Sequence, residues 1–313
     1  MRFFTADDLD AALDFPSLVD ALAQAFGGAY AAPKRHHHAI GPATQLLMPA
    51  WSANAPAPGA FLGTKIVSVF PGNGALGLPA VNGLYLLQSG ETGLPLAVLD
   101  GTRLTHLRTA AASALAARFL ARPDAGHLLM AGTGALAPWL IRAHACVRPI
   151  KRVTLWNHRR AGTERLAQVM TGSGFAIEIA DDLPAAVAQA DIVSCATLSP
   201  TPFIQGRWLR AGQHIDLVGA FNLEMREVDG EALRRARAYI DTPAALTEGG
   251  DVALALRAGE IDAAHVRGDL EALCRGTVGG RENADEITLF KSVGASIEDL
   301  AAAVLAWQRR KPD

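Results

Sequence analysis

A glycine-rich break after an apolar run constrains this chain most. Residues 127–137 read HLLMAGTGALA, so the apolar run stops at Gly132-Thr133-Gly134 and a helix-compatible run follows. An apolar run bounded by glycines is typical of a buried parallel strand. Gly132 would permit a tight turn, and Gly134 would let the backbone approach a pyrophosphate at the start of the next helix. The stretch predicts a dinucleotide site, although a strand-to-helix turn without a ligand can carry the same glycines.

The next predicted strand, RVTLW at residues 152–156, ends where a dinucleotide domain places its ribose-binding residue. That residue is usually acidic, but here Asn157 is followed by His158, Arg159 and Arg160. An amide and an arginine suit a ribose that carries a 2′-phosphate, because they can donate charge-assisted hydrogen bonds to it. We therefore predict NADP as the cofactor, with NAD possible. The alternative is a solvated basic turn that opens the next helix.

The order of the predicted elements indicates an α/β fold. From residue 127 to residue 241 the predicted strands and helices alternate, which is typical of a Rossmann-type doubly wound parallel sheet with helices on both faces. The first 121 residues differ, and we predict an α+β domain there. Its predicted features are helices capped by Thr5 and Ser17, extended segments broken at Gly41-Pro42 and Pro49, strands at 63–70, 83–87 and 95–99, and a long helix ending at Leu120.

Composition excludes several classes of protein. The chain has 313 residues and a net charge of −2, which gives no basic footprint for nucleic acid. The run at 109–121 is short and contains Arg118, so we predict no membrane span. Three widely spaced cysteines without a CxxC pair argue against a disulfide framework or a zinc site and fit a reducing cytoplasm. The run at 36–38, HHH, has no accompanying carboxylates, so we predict no metal site.

Three cations stand out as candidate ligands of an anionic substrate. Lys65 lies in the middle of a predicted strand, GTKIVSVF, as either an edge-strand charge or a site residue. Arg108 is predicted in the first turn of its helix, where the helix dipole disfavours a cation and an anionic partner would explain it; a surface arginine is the alternative. Arg35 precedes the histidines. Together they suggest a small carboxylate substrate.

The motifs taken together resemble the ornithine cyclodeaminase and mu-crystallin family. The resemblance covers nearly the whole chain and is carried, in order, by Arg35 ahead of LLMPAW, GTKIVSVFPGN, GLPAVNGLYLLQSGETGLPLAVLDG, LTHLRTAAASALAARFLA, GTGALA, WNHR, VGAFNLEMREVD and LFKSVGASIEDLAAA. It implies a homodimer. It also implies a substrate-binding and dimerisation domain of residues 1–121, completed by 290–313, and an NAD(P)-binding domain of residues 122–289.

The resemblance also implies roles for individual residues. It places Arg35, Lys65 and Arg108 around a substrate carboxylate, with Lys65 and Arg108 as the catalytic pair. The residues that it places around the cofactor are Gly132, Gly134, Ala135 and Leu136 at the pyrophosphate, Asn157, His158 and Arg159 at the ribose, and Thr197, Val218, Gly219 and Ser292 near the nicotinamide.

Two departures from the family pattern bear on the activity. Ornithine cyclodeaminases carry an aspartate where this chain has Phe221 and a glutamate where it has Leu46. Without these carboxylates the chain lacks the general base and a partner for a second amine. We therefore expect an NAD(P)H-dependent ketimine reductase acting on cyclic imino acids such as pyrroline-2-carboxylate or piperideine-2-carboxylate. The alternatives are an ornithine cyclodeaminase, an alanine-type amino acid dehydrogenase, or a non-catalytic NADP-dependent binding protein.

Overall fold

The computed structural model describes residues 1–310, which divide into two compact units. The first unit is Met1–Thr109 together with the segment from Ala295, and the second is Ala110–Gly294. The expected α/β class and the parallel sheet are confirmed.

The first unit is built on a seven-stranded sheet with the order β1-β7-β6-β5-β4-β2, and β3 also pairs with β4. The pairs are antiparallel except for β1 with β7. Its elements are β1 (Arg2–Phe4), α1 (Ala6–Ala12), α2 (Phe15–Gly27), β2 (Tyr30–Ala31), β3 (His36–Ile40), β4 (Ala43–Ser52), β5 (Phe61–Val69), β6 (Val81–Ser89), β7 (Pro95–Asp100), the first half of α3 (Gly101–Leu120) and the closing helix (Ser296–Gln308).

Two local predictions in this unit need correction. Thr5 does cap α1, in a capping box with Asp8, but Asp14 rather than Ser17 caps α2, since its Oδ1 accepts the Ser17 amide at 2.9 Å. Pro49 does not break its strand, because β4 runs through it. Strand β3 pairs with β4 only as far as Leu47, and β2 only from Trp51, so Pro49 lies where that side of β4 has no partner strand among the described residues. The missing N–H therefore costs no ladder hydrogen bond there.

The second unit contains an eight-stranded parallel sheet with the order β10-β9-β8-β11-β12-β15-β13-β14. Its elements are β8 (His127–Ala131), α4 (Ala137–Val147), β9 (Arg152–Trp156), α5 (Arg160–Val169), β10 (Ala176–Ile179), α6 (Leu183–Gln189), β11 (Ile192–Cys195), β12 (His214–Leu217), α7 (Gly230–Arg235), β13 (Ala236–Ile240), α8 (Gly250–Arg257), β14 (Val266–Asp269), α9 (Leu270–Cys274) and β15 (Ile287–Lys291). The closing helix of the first unit is therefore α10.

Strand β15 was not recognised from the sequence. Its residues, ITLFK, are all buried, and the strand lies between β12 and β13, which follow each other along the chain. The glycine-rich and charged residues before it obscured the apolar run, and its lysine is unusual in a fully buried strand.

The two compact units divide inside α3, and the domain boundary at residue 121 stays a prediction. Two arginines of the second unit hold the carbonyls at the end of this helix. Arg148 Nη2 donates to the carbonyls of Ala117, Arg118 and Ala121 at 2.7, 2.8 and 2.9 Å, and Arg281 Nε donates to Leu120 at 2.7 Å. The last carbonyls of a helix have no partner within the helix, so these contacts replace water there.

None of the helices among residues 1–310 combines the length and the apolar character that a bilayer crossing requires.

We predict that Arg148→Ala lowers the free energy of unfolding by roughly 1–3 kcal/mol, because three carbonyls at the end of α3 lose a charged donor. Urea unfolding followed by circular dichroism measures the change. Arg142→Ala is the matched control, since Arg142 is exposed on helix α4, which ends directly before Arg148, and its guanidinium lies over the Trp139 ring. Equal effects of the two variants would contradict the capping role.

Candidate functional site

The turn between β8 and α4 has a backbone that only glycine fits at its first position. Gly132 has a φ of 102°, and a Cβ there would lie 2.5 Å from the Ala196 carbonyl oxygen. At Gly134 an added Cβ would meet no described atom within 4 Å, so this position opens onto free space. The two glycines thus differ: Gly132 allows close packing of the turn, and Gly134 leaves room for a ligand beside the backbone.

The same turn presents unpaired backbone donors. Among residues 1–310, the amides of Thr133, Gly134, Ala135 and Leu136 donate no hydrogen bond, and no side chain caps the N-terminus of α4. Successive free amides at the positive end of a helix form an anion-binding site. The space at Gly134 and these donors fit the pyrophosphate of a dinucleotide.

Asn157 lies beside this turn, at the end of β9. A Cβ at Gly162 would lie 2.4 Å from Thr133 Oγ1 and 2.7 Å from Asn157 Nδ2, so Gly162 allows the two side chains to approach each other. His158 Nδ1 lies 3.2 Å from Asn157 Oδ1. The structure therefore brings the predicted ribose residues next to the predicted pyrophosphate turn. Gly162 was not singled out in the sequence because it lies inside a helix, outside the fingerprint spacing.

The two neighbouring arginines have different surroundings. Arg160 pairs with Glu164 at 3.1 Å and with Asp181 at 2.5 Å. Arg159 is exposed and forms no ion pair with any residue of the described chain. Of the two, Arg159 is the arginine whose charge is not already neutralised by a carboxylate.

The ends of β11 and β12 hold the residues predicted to lie near the nicotinamide. The buried carboxylate of Glu227 accepts hydrogen bonds from the Thr197 amide and hydroxyl at 2.7 and 2.8 Å, and from the Gly219 amide at 2.9 Å. Val218, between the strand and Gly219, is 7% exposed. Sequence reasoning missed Glu227, since a glutamate between two other charged positions in EMREVD gave no sign of burial.

Ser292 follows β15 and is buried. Its hydroxyl donates to Asp241 Oδ2 at 3.1 Å, and the same oxygen accepts the amides of Val293 and Gly294 at 2.7 and 2.6 Å. The side chain of Ser292 therefore takes part in the turn that follows β15.

In the first unit, Lys65 lies on an interior strand, which excludes the edge-strand interpretation. Strand β5 is paired on both sides, and Lys65 stands opposite Met48 on β4 and Tyr85 on β6. Lys65 is 2% exposed, and its Nζ lies 2.9 Å from Asp299 Oδ2 and 3.1 Å from Oδ1. Asp299 comes from the first turn of α10.

Arg108 belongs to the same buried cluster. Helix α3 begins at Gly101, so Arg108 lies in its third turn, and the prediction that it lies in the first turn was wrong. Its Nη1 lies 2.5 Å from Glu298 Oε2 and its Nε lies 3.0 Å from Asp299 Oδ1. The anionic partners predicted for this arginine include two carboxylates of the chain itself. Sequence reasoning missed them because acidic residues in the first turn of a helix are common without any such role.

The surroundings of Lys65 lower its pKa and so favour the neutral amine. Burial and the Arg108 charge lower the pKa of Lys65 to about 8, against the opposing effect of Asp299. A lysine with a pKa near 8 can hold a charge at neutral pH and still release a proton.

Arg35 comes directly before β3, two strands away from Lys65. His36 pairs with Leu47, so Arg35 precedes the β3–β4 ladder at the level of Met48, which pairs with Lys65. Two strand spacings separate Arg35 from Lys65, a distance of about 10 Å between backbones. The three predicted cations therefore lie in one unit, with two of them in direct contact with the same aspartate.

Among the described residues, no group of three histidine, cysteine or acidic side chains is arranged to hold a metal ion. The His36 and His38 rings stack on the exposed strand β3, with centroids 6.4 Å apart. Cys146, Cys195 and Cys274 are free thiols.

Comparison with known proteins gives a consistent result. A Δ1-pyrroline-2-carboxylate reductase from Paracoccus denitrificans is 38% identical, over 96% of this chain and 95% of the relative. The Thermococcus litoralis Δ1-pyrroline-2-carboxylate reductase, solved with NADH and L-proline, superposes with a TM-score of 0.92 at 32% identity, over 99% and 97% of the two chains. An archaeal alanine dehydrogenase dimer with bound NAD superposes with a TM-score of 0.91 at 28% identity, over 99% and 95%.

The profile of the ornithine cyclodeaminase/mu-crystallin family matches residues 17–311, nearly the whole chain. Together with the coverage of these relatives, this match shows that the chain belongs to the ornithine cyclodeaminase/mu-crystallin family.

Proposed function

We propose that this chain is an NAD(P)H-dependent imine reductase that acts on small cyclic imino acids of the pyrroline-2-carboxylate or piperideine-2-carboxylate type. The observation that carries the proposal is the buried Lys65–Arg108 cluster in a chain that also has an open pyrophosphate turn. The similarity to Δ1-pyrroline-2-carboxylate reductases over nearly the full length supports the same reaction.

In this reaction a reduced nicotinamide supplies hydride to the imine carbon next to the substrate carboxylate. The C=N bond becomes a C–N single bond, and the nitrogen keeps the proton that activated the imine. Arg35 and Arg108 bind the carboxylate with planar, charge-assisted donors. Lys65 stabilises the negative end of the substrate and can pass a proton towards the imine nitrogen. Orientation and the preorganised charges supply most of the rate gain.

The apolar substitutions favour reduction over cyclodeamination. Leu46 lies two residues before Met48 on β4, and alternate residues of a strand face the same side, so Leu46 faces the side that carries Lys65. Phe221, two residues after Gly219, is 47% exposed, and Leu198, directly after Thr197, is 69% exposed. Large apolar side chains at these positions give a second amine no hydrogen-bonding partner. Ornithine cyclodeaminase and alanine-type dehydrogenase remain the second candidates, and a non-catalytic NADP-dependent binding protein the third.

The preferred cofactor in this proposal is NADPH, with NADH as the alternative. Arg159 supports the preference, since no carboxylate of the described chain neutralises it and none occupies the usual ribose position at Asn157.

The proposed assembly is a homodimer formed through the first unit. Ile40, Phe70, Val81 and Leu84 of this unit are between 40% and 50% exposed, and covering them with a second copy of the chain would remove apolar surface from water. The dimeric state of the archaeal alanine dehydrogenase supports the same assembly. A cytoplasmic location is proposed on the three free thiols.

We expect purified protein to oxidise NADPH when pyrroline-2-carboxylate or piperideine-2-carboxylate is added, because the substrate carboxylate meets the buried cations. Absorbance at 340 nm measures the reaction. Release of ammonia and proline from ornithine with catalytic NAD, and no reduction of either imine, would replace this proposal with a cyclodeaminase. Tight NADPH binding without turnover of any imine or amino acid would indicate a binding protein.

We predict that Arg159→Ala weakens NADPH binding by about 10- to 100-fold, the loss of one or two charge-assisted hydrogen bonds, and leaves NADH binding nearly unchanged. Dissociation constants from the fluorescence of the reduced cofactors test this. Arg160→Ala is the control, because Arg160 is already paired with two carboxylates. If Arg159→Ala changed the two affinities equally, the 2′-phosphate assignment would be wrong.

The pKa of Lys65 predicts a pH dependence. Its value of about 8 means that the ammonium form dominates below pH 8 and is lost as the pH rises through it, so kcat/KM of the wild type should fall there. Lys65→Met should lower kcat/KM by at least about 100-fold and abolish this limb of the profile. Lys151→Met, at an exposed lysine, is the control. A Lys65→Met enzyme that kept the wild-type profile would exclude Lys65 from the reaction.

A further inference from the structure

Glu227 binds the ends of two strands at once. Its Oε1 accepts from the amide and the hydroxyl of Thr197, after β11, and its Oε2 accepts from the amides of Gly219 and Ala220, after β12, at 2.9 and 3.4 Å. The residue is 0% exposed. A carboxylate that accepts from donors on two neighbouring segments fixes the distance between them, because charge-assisted hydrogen bonds are short and directional.

The two strand-end segments pack closely around this carboxylate. A Cβ at Gly219 would lie 2.1 Å from the Thr197 carbonyl oxygen and 2.4 Å from Glu227 Oε1. The ends of β11 and β12 therefore approach each other as closely as backbones can, with the carboxylate between their amides. A shift of either segment would separate at least one donor from Glu227.

Two further buried charged residues, Asp251 and Lys291, lie next to Glu227. Asp251 Oδ1, in the first turn of α8, accepts the amides of Glu227 and Val228 at 2.6 and 3.0 Å. Lys291 Nζ, at the end of β15, lies 3.1 Å from Asp251 Oδ2, and all three charged residues are 0% exposed. The cluster thus links the carboxyl ends of three adjacent strands, β11, β12 and β15.

Such a cluster is expensive unless it has a use. Burying three charges removes them from water at a large desolvation penalty, and a core of apolar side chains would hold a sheet together without it. Ligands of open parallel sheets bind at the carboxyl ends of the strands, which is where this cluster lies.

We infer that Glu227 is a positioning residue that fixes the two strand-end segments, Thr197 and Gly219–Ala220, against which the nicotinamide ring is held. Asp251 holds the backbone of Glu227 and Val228 in place, and Lys291 pairs with Asp251. This inference rests on the proposed function, because it assumes that a nicotinamide cofactor binds. It assigns no chemical step to Glu227, which acts through the backbone of the segments that it binds.

The charge of Glu227 supplies an independent readout. Burial and the nearby Asp251 raise the pKa of Glu227 to about 7, and Lys291 opposes them. The thiol of Cys195 on β11 also faces the cluster, and its own pKa is raised by burial and by Glu227, so it stays protonated. Below pH 7 the protonated carboxyl group can no longer accept from both segments, so cofactor affinity should fall as the pH decreases through this value.

Glu227→Gln tests the inference, since the variant keeps the size of the side chain and replaces one acceptor oxygen with an amide nitrogen that faces backbone N–H groups. We expect the dissociation constant for NADPH to rise roughly tenfold or more and kcat at saturating cofactor to fall about 100-fold, as for a misplaced reactant. The decrease in affinity of the wild type below pH 7 should be absent in the variant.

Asp191→Asn is the matched control. Asp191 accepts the amides of Gly126 and His127 at 3.0 and 3.1 Å, so it also joins two segments of the same sheet, but before the strands begin. We expect this variant to lower the melting temperature without changing the NADPH dissociation constant or its pH dependence. Thr197→Val, with Thr197→Ser as the conservative partner, covers the case in which Glu227→Gln does not fold. Valine should weaken NADPH binding by about three- to tenfold and serine should restore it.

The outcomes separate the inference from the function on which it rests. Wild-type protein that binds neither NADPH nor NADH would refute the proposed function. The positioning role alone would be refuted if the wild type bound NADPH and reduced the imine while Glu227→Gln and Thr197→Val had the same NADPH affinity, kcat and pH profile. A fall in melting temperature shared with Asp191→Asn, with no other change, would reduce Glu227 to a structural residue.

Discussion

The constraint on which the first unit depends is the burial of two cations with two carboxylates. Lys65 and Arg108 are nearly inaccessible to water, and Glu298 and Asp299 approach them within 3.1 Å. Buried charges are tolerated only when they are paired and hydrogen-bonded. Helix α10 must therefore pack on the sheet before Lys65 of β5 and Arg108 of α3 can be buried as charged groups. A substrate carboxylate would then compete with the carboxylates of α10 for the same donors.

In the second unit, buried carboxylates lie at the carboxyl ends of the strands of the parallel sheet. The predicted pyrophosphate turn has four amides that donate to no atom of residues 1–310, while at the neighbouring strand ends Glu227 and Asp241 accept backbone amides. The backbone N–H groups between β8 and α4 thus have no acceptor among the described residues, whereas those at the other strand ends donate to buried carboxylates. This contrast separates a turn prepared for an anion from turns that only support their surroundings.

Sequence reasoning recovered the parts that depend on local patterns. The strand, glycine turn and helix around Gly132 are predictable because the conformations are set within a few residues, and the alternation after residue 127 predicted the parallel sheet. Long-range pairing was not predictable. Nothing near Glu298 or Glu227 signals that the side chain is buried, and β15 reads as a strand only when its place between β12 and β13 is known. The start of α3 was predicted at about Thr102 or Thr105 and lies at Gly101, and the prediction of Arg108 in the first turn was wrong.

The position of β15 has a consequence for biosynthesis. This strand fills the gap between β12 and β13 and is among the last segments of the sheet to leave the ribosome. The first unit likewise waits for α10, whose carboxylates neutralise its buried cations. Neither unit can therefore reach its final packing during translation of its earlier segments, although domains often fold in order from the N-terminus. Until then, the unpaired edges of β12 and β13 would be exposed to pairing with other chains.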